Sequence, residues 1–144
     1  MRTGNIRRLV IDTYAWIEFF IGSKKGEMVK DYLLGENEVY TPSIVLAEIA
    51  RKYLQENMTE KIVRKRLELI AKISIVIDID EKLALETGKA YLELVKHAKN
   101  IGLRQKPSLV DAIILATARK LQAKIITGDK RFKGLKETIW IGDH

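Results

Sequence analysis

Cysteine is absent from this chain, and only two histidines occur, His97 and His144. The first absence excludes disulfides, thiolate zinc sites and cysteine nucleophiles. The second leaves too little imidazole for a histidine-rich metal centre. Any metal held here must rest mainly on oxygen ligands, which points to Mg²⁺ or Mn²⁺. Long apolar runs are also missing. Ala112 to Ala118 is one of the longest, far short of the roughly 20 residues a membrane-spanning helix needs. The apolar run behind Arg2, Arg7 and Arg8 is soon interrupted by Asp12, so neither a membrane segment nor a signal peptide is expected, and a cytoplasmic location is. No low-complexity tract, internal repeat or compositional break divides the sequence. Its 144 residues therefore read as one domain, 1–144, large enough to bury a core without disulfides or structural metal.

What the chain does carry is positive charge. A formal net charge of +7 favours polyanionic partners, of which nucleic acid is the commonest inside a cell. A soluble surface that merely leans basic accounts for the charge equally well.

Hydrophobic periodicity divides the sequence into short strands alternating with helices. Ile6 to Asp12 reads as a buried strand, followed by a helix through Tyr14, Ile17 and Phe20 that closes at Gly22. Lys24 to Leu34 is a second helix, stopped by Gly35, and Glu38 to Tyr40 a short strand. Thr41-Pro42 looks like a capping residue followed by proline at the first helical position, opening a helix that runs to about Glu56. Thr59 to Ile73 is a further helix, and Ser74 to Ile79 a β-branched strand. Asp80 to Lys99 is a long amphipathic helix with Leu83, Thr87, Ala90, Tyr91, Leu94 and Ala98 along one stripe. Asn100 to Pro107 is a loop. Ser108 to Leu121 is a helix with almost no polar face in its first turns, which places it centrally; Lys124 to Thr127 and Thr138 to Ile141 are strands on either side of a Gly128-Asp129 turn. The alternation predicts an α/β fold, a three-layer α/β/α sandwich around a short parallel sheet.

That fold carries a geometric consequence. The carboxyl ends of parallel strands and the amino ends of the helices that follow share one edge of the sheet, where ligands bind. Asp12 ends the first strand, Asp129 lies just past a later one, and Asp111 sits in the first turn of the central helix. Glu48 stands in the second turn of the helix at Pro42, and helical side chains lean towards the amino end, so a glutamate there reaches the same crevice. Four carboxylates gathered in a low-dielectric crevice repel one another, and a divalent cation resolves the conflict. Each acid also has an ordinary structural explanation. Asp12 could be a helix N-cap, and Ser108-x-x-Asp111 fits a capping box. Glu48 has Arg51 and Lys52 three and four residues on, and Gly128-Asp129 is common turn chemistry.

Four segments carry a further likeness: Val10-Ile-Asp-Thr-Tyr-Ala-Trp-Ile-Glu18, Thr41-Pro-Ser-Ile-Val-Leu-Ala-Glu-Ile49, Leu109-Val-Asp-Ala-Ile-Ile-Leu-Ala-Thr-Ala118 and Ile125-Ile-Thr-Gly-Asp-Lys-Arg-Phe132. Through them the sequence resembles the PIN-domain family, most of all the VapC-type toxins of prokaryotic toxin–antitoxin pairs. Order and spacing match along nearly the whole chain. The resemblance implies that Asp12, Glu48, Asp111 and Asp129 form a catalytic, metal-binding acidic site for Mg²⁺ or Mn²⁺, with Thr13 and Thr127 as supporting hydroxyls. It implies a homodimer and an inhibitory antitoxin as partners. The activity so implied is metal-dependent endoribonuclease cleavage of RNA phosphodiesters, in which the acids hold metal and the metal activates a water. Arg104 and Lys106 before the central helix, and Lys130, Arg131 and Lys133 after the last acid, are the expected RNA contacts. Lys61, Arg64, Lys65 and Arg66 read instead as a solvated helix face.

Two alternatives stay open: a catalytically silent PIN-type RNA-binding or scaffolding module, and an RNA-processing PIN nuclease without an antitoxin. The toxin is favoured over the processing enzyme because no zinc ribbon or RNA-binding domain is appended. An aspartyl-phosphate protein ranks low. Its phosphatases want a second Asp two residues beyond the first, where this chain has Tyr14, and receivers want adjacent acids, where it has Ile11 and Thr13.

Overall fold

A computed structural model describes residues 6–143; Arg2 and His144 lie outside the described residues. The chain runs β1 (Arg7–Ile11), α1 (Thr13–Ile21), α2 (Lys24–Leu34), β2 (Asn37–Pro42), α3 (Ser43–Gln55), α4 (Glu60–Ile73), β3 (Ile75–Ile77), α5 (Glu81–Asn100), α6 (Leu109–Leu121), β4 (Lys124–Thr127), a 3₁₀ turn (Lys130–Phe132) and β5 (Thr138–Trp140).

Local chemistry explains most of these boundaries. Asp12, Ser23, Thr59, Asp80 and Ser108 each stand at a helix N-cap and accept from the backbone N–H three residues on, satisfying a donor the helix leaves unpaired. At the other end of α1, Gly22 adopts φ 76° and returns its N–H to the carbonyls of Glu18 and Phe19, a left-handed closure that glycine adopts without strain. The stripe expected on α5 is the stripe that is buried: Leu83, Thr87, Ala90, Leu94 and Ala98 are covered and Tyr91 half-buried. Every residue of α6 from Asp111 to Ala118 is buried, as its lack of a polar face requires.

The five strands lie in the order β3-β2-β1-β4-β5, all parallel. From β1 the chain steps outward to β2 and β3, then crosses back to β4 and β5 on the far side. Right-handed crossovers in opposite directions put their helices on opposite faces. Accordingly α1 packs on α2 and α3, and α3 on α4, whereas α5 packs on α6. Leu9, Val10 and Ile11 of β1, with Ile125 and Ile126 of β4, are fully buried in the middle, the run of apolar residues expected of a strand covered on both faces. The strand order reverses between β1 and β4, a topological switch point whose crevice opens beyond the carboxyl ends of those two strands.

Thr41-Pro42 does not open α3. Both residues belong to β2, where Thr41 pairs with Val76 and Pro42 with Ile77 of β3. Pro42 is the N-cap, with φ −60°, ψ 135° and no side-chain capping bond. The Thr41 hydroxyl is taken instead by the core: it accepts from the Trp16 indole N–H at 3.1 Å and meets the Ser74 hydroxyl at 2.8 Å. The strand expected over Ser74 to Ile79 shrinks to Ile75–Ile77, because Ser74 ends α4 and donates to the Ile70 carbonyl.

Candidate active site

Asp12 is the first residue beyond β1, and because Ile11 is in register with Ile126, the next residue of β4, Thr127, stands beside it. Both are buried, Asp12 at 2 % exposure. One carboxylate oxygen, Oδ1, caps α1 by accepting from the Ala15 N–H at 2.9 Å. Burial is the largest influence on this group and pushes its pKa up to about 8; hydrogen bonds from Thr127 and Ala15 pull it down, and the charges of Asp129 and Asp111 push it up again. Asp111 and Asp129 therefore lie near enough for their charges to act on Asp12.

Asp111 comes from α6. Its Oδ2 accepts from the Ser108 N–H at 2.8 Å while the Ser108 hydroxyl accepts from the Asp111 N–H, a complete capping box. Its pKa is also raised, first by burial; Asp129 raises it further, while Ser108 and Arg131 oppose. Asp129 follows β4 and caps the 3₁₀ turn, Oδ1 accepting from the Arg131 N–H at 2.9 Å. Thr127 fixes the approach, because its hydroxyl accepts from the Asp129 N–H at 2.9 Å as well as bonding Asp12. Gly128 between them is required by a close approach: a Cβ there would fall 2.3 Å from the Tyr14 ring. The capping and turn roles weighed from the sequence for Asp12, Asp111 and Asp129 are therefore all present.

Glu48 stands slightly apart. It is half-buried on α3, accepts a short hydrogen bond from the Thr13 hydroxyl, and lies 4.0 Å from Arg51. It lines a shallow cavity of about 220 Å³ with Ile44, Ala47, Arg51 and Val110, the residue before Asp111. Thr13, at the start of α1, thus ties Glu48 to the segment that carries Asp12.

The expected RNA contacts divide. Arg104, Lys106, Lys130 and Lys133 are exposed, Lys133 lying over the Trp140 ring at 5.1 Å. Arg131 turns inward instead. Its Nη1 donates to Asp129 Oδ2 at 3.0 Å, and its Nε lies 3.5 Å from Asp111 Oδ2 and donates to the Lys106 carbonyl at 3.3 Å. Two side chains that sequence reasoning passed over stand at the rim. Tyr14 packs on Gly128, and Lys25 donates to the Tyr14 hydroxyl at 3.0 Å and to Asp143 at 3.2 Å. The position of Tyr14 immediately after Asp12-Thr13 was the available signal. Arg66 of the α4 basic stretch is engaged elsewhere, between the rings of Phe20 and Tyr53. Trp16 is core.

The donor set fits a hard divalent cation: it is all oxygen, and its most buried member keeps Oδ2 free of backbone capping. The acids are not closed around an ion as they stand. Among the described residues no three Asp, Glu or His side chains are close enough to share one; the Arg131 guanidinium lies between Asp111 and Asp129.

The fold has parallels among solved structures. The fold superposes on a toxin–antitoxin complex from Klebsiella pneumoniae with TM-score 0.66 at 19 % identity, covering 94 % of this chain and 99 % of that one. A VapBC2 structure from Rickettsia felis, bound to a promoter DNA fragment, matches with TM-score 0.67 at 20 % identity, covering 92 % and 96 %. The sarcin–ricin loop cleaving toxin VapC20 from Mycobacterium tuberculosis matches with TM-score 0.62 at 20 % identity, covering 90 % and 97 %. Among curated protein sequences none matches. The PIN-domain family model aligns with residues 9–137, from β1 through the last acid to the threshold of β5. The chain belongs to the PIN-domain family.

Proposed function

We propose that residues 1–144 form one catalytic domain, a Mg²⁺- or Mn²⁺-dependent endoribonuclease acting as the toxin of a VapBC-type pair in the cytoplasm. The observation that carries the reading is the buried Asp12 carboxyl at the switch point, near enough to Asp111 and Asp129 for their charges to raise its pKa. Membership of the PIN family and the likeness to toxin–antitoxin structures support it. No helix among the described residues is long and apolar enough to cross a membrane.

Asp12, Asp111 and Asp129 would hold the ion, with Glu48 completing the site from α3. A bound divalent ion supplies Lewis acidity: it lowers the pKa of an attacking water and offsets charge on the phosphate and the departing 3′ oxygen. Thr127 and Thr13 orient the acids, a supporting role of the kind that tunes metal sites. Arg104, Lys106, Lys130 and Lys133, all exposed, would hold the RNA backbone against the repulsion of the acids. A homodimer and an inhibitory antitoxin belong to the same reading, the second supported by the toxin–antitoxin complexes that share the fold.

The test is cleavage of structured and unstructured RNA with Mg²⁺ or Mn²⁺. Expected are activity abolished by EDTA and restored by metal, and its loss in Asp12→Asn and Asp111→Asn proteins that remain folded. Cleavage by Asp12→Asn that ignores EDTA would falsify the reading. The Arg131 pairing favours a second one, a silent RNA-binding module whose acids are permanently neutralised. RNA binding without metal binding would select it. A short overlapping reading frame encoding a DNA-binding N-terminus would mark the toxin role.

A further inference from the structure

Arg131 sits where its function as an RNA contact would not place it. One guanidinium spans two aspartates that come from different elements, Asp111 of α6 and Asp129 beyond β4. The bridge is pre-set. Asp129 accepts both the backbone N–H and Nη1 of Arg131, and the Lys106 carbonyl accepts from Nε. Phe132, the next residue, is fully buried and anchors the 3₁₀ turn. The planar fork of arginine suits such a bridge, which the point charge of lysine would not reproduce.

The oxygens that Arg131 engages are also those an ion would need. Asp111 Oδ2 already accepts from Ser108, and Asp129 Oδ1 is spent on the Arg131 backbone, so Asp129 Oδ2 is the oxygen the guanidinium most directly withholds. The hold is reversible, because the Arg131 side chain is 27 % exposed and so has a path to solvent, while the Asp111 side chain, at 9 %, is held closer in. A single positive charge offsets carboxylate repulsion in part, and a dication offsets more of it.

We propose that Arg131 is a built-in counter-cation: it occupies the aspartate site of the metal-free protein, competes with the divalent ion for Asp111 and Asp129, and withdraws from them when the ion binds. The proposal rests on the metal-nuclease reading above and makes Arg131 a positioning residue that sets metal affinity. It accounts for the pairing of one guanidinium with carboxylates from two different elements.

The experiment measures Mn²⁺ binding to the full chain without RNA, by the EPR signal of free Mn²⁺, in the wild type, Arg131→Gln and Asp111→Asn. Removing the competing charge is expected to tighten Mn²⁺ binding about fivefold or more in Arg131→Gln, while Asp111→Asn loses it. In the wild type, the Nε–H resonance of Arg131 should shift as diamagnetic Mg²⁺ is added and follow the same isotherm; this readout does not depend on any variant folding. If the wild type binds Mn²⁺ but Arg131→Gln binds it equally or more weakly, or the Nε–H signal stays in place through saturation, the counter-cation role is overturned and the nuclease reading stands. If neither protein binds Mn²⁺, both fall.

Discussion

Asp12 is the residue in which fold and chemistry conflict most directly. Its folded pKa, pushed to about 8 chiefly by burial, lies well above that of an unfolded aspartate, so between those values the native state keeps a proton that the unfolded chain gives up. The stability from this group is therefore complete below the unfolded pKa and is lost as pH rises through the folded one, by up to about 1.4 kcal/mol per pH unit. In EDTA, the melting temperature of the wild type should fall between about pH 5 and pH 8. Asp12→Asn, neutral at every pH, should flatten that decline and melt higher at the alkaline end while cutting no RNA. An unchanged slope in this variant would show that Asp12 is not the titrating group. Metal binding has the opposite sense, since the ion needs the carboxylate: Mn²⁺ affinity should climb as pH approaches about 8 and then level off. Thr127 belongs to the same scale. Its buried hydroxyl serves Asp12 and the Asp129 N–H together, so Thr127→Val strands a donor and a carboxyl and should cost about 1–3 kcal/mol in urea denaturation. Thr127→Ser, which restores the hydroxyl, should recover most of it.

Among the elements, the β4-to-3₁₀ connection positions the last acid, and it does so through α1. The Tyr14 ring covers Gly128 so closely that a Cβ would fall 2.3 Å from it. Gly128→Ala should therefore destabilise by about 1–3 kcal/mol, an overpacking cost. Adding Tyr14→Ala should return much of that, giving a non-additive double-mutant cycle by chemical denaturation; additive losses would mean the two do not touch. Such a contact joins segments remote in sequence, and this marks the boundary of what the sequence made legible. Periodicity is local, so the buried stripe of α5, the central α6 and the strand at Lys124–Thr127 could be read directly. The places of Asp12 and Asp129 beyond strand ends, and of Asp111 in the first turn of α6, could be read from the same alternation. Thr41-Pro42 was misread because a capping residue before proline is also a local signature, and it lost to strand pairing with β3 and to the Trp16 and Ser74 bonds. The inward turn of Arg131 had no local signature, since a basic residue after a turn acid faces solvent or neighbour according to tertiary surroundings.

At the scale of the molecule, a chain of net charge +7 carries Asp12, Asp111 and Asp129 around its switch point, and the proposed function gives the two signs separable tasks. On the proposed reading, cations outside the pocket would attract the polyanion and acids inside it would hold the ion, so substitutions in each group should change different observables. Lys130 and Lys133 are both exposed beyond the last acid. Neutralising them together as Lys130→Gln/Lys133→Gln should weaken binding of single-stranded RNA and lower the dependence of log K on log salt by about 0.7 for each phosphate no longer neutralised. Stability should stay within about 0.5 kcal/mol, as is usual for surface positions, and Mn²⁺ affinity should not change. Asp111→Asn should do the reverse, removing metal binding while RNA affinity holds or rises as one repulsive charge disappears. Fluorescence anisotropy across a salt series, paired with Mn²⁺ titration of each variant, reads the two tasks independently. If the lysine pair altered metal affinity as strongly as RNA affinity, the pocket and its rim would form one electrostatic unit, and attraction of substrate could not be assigned to the rim.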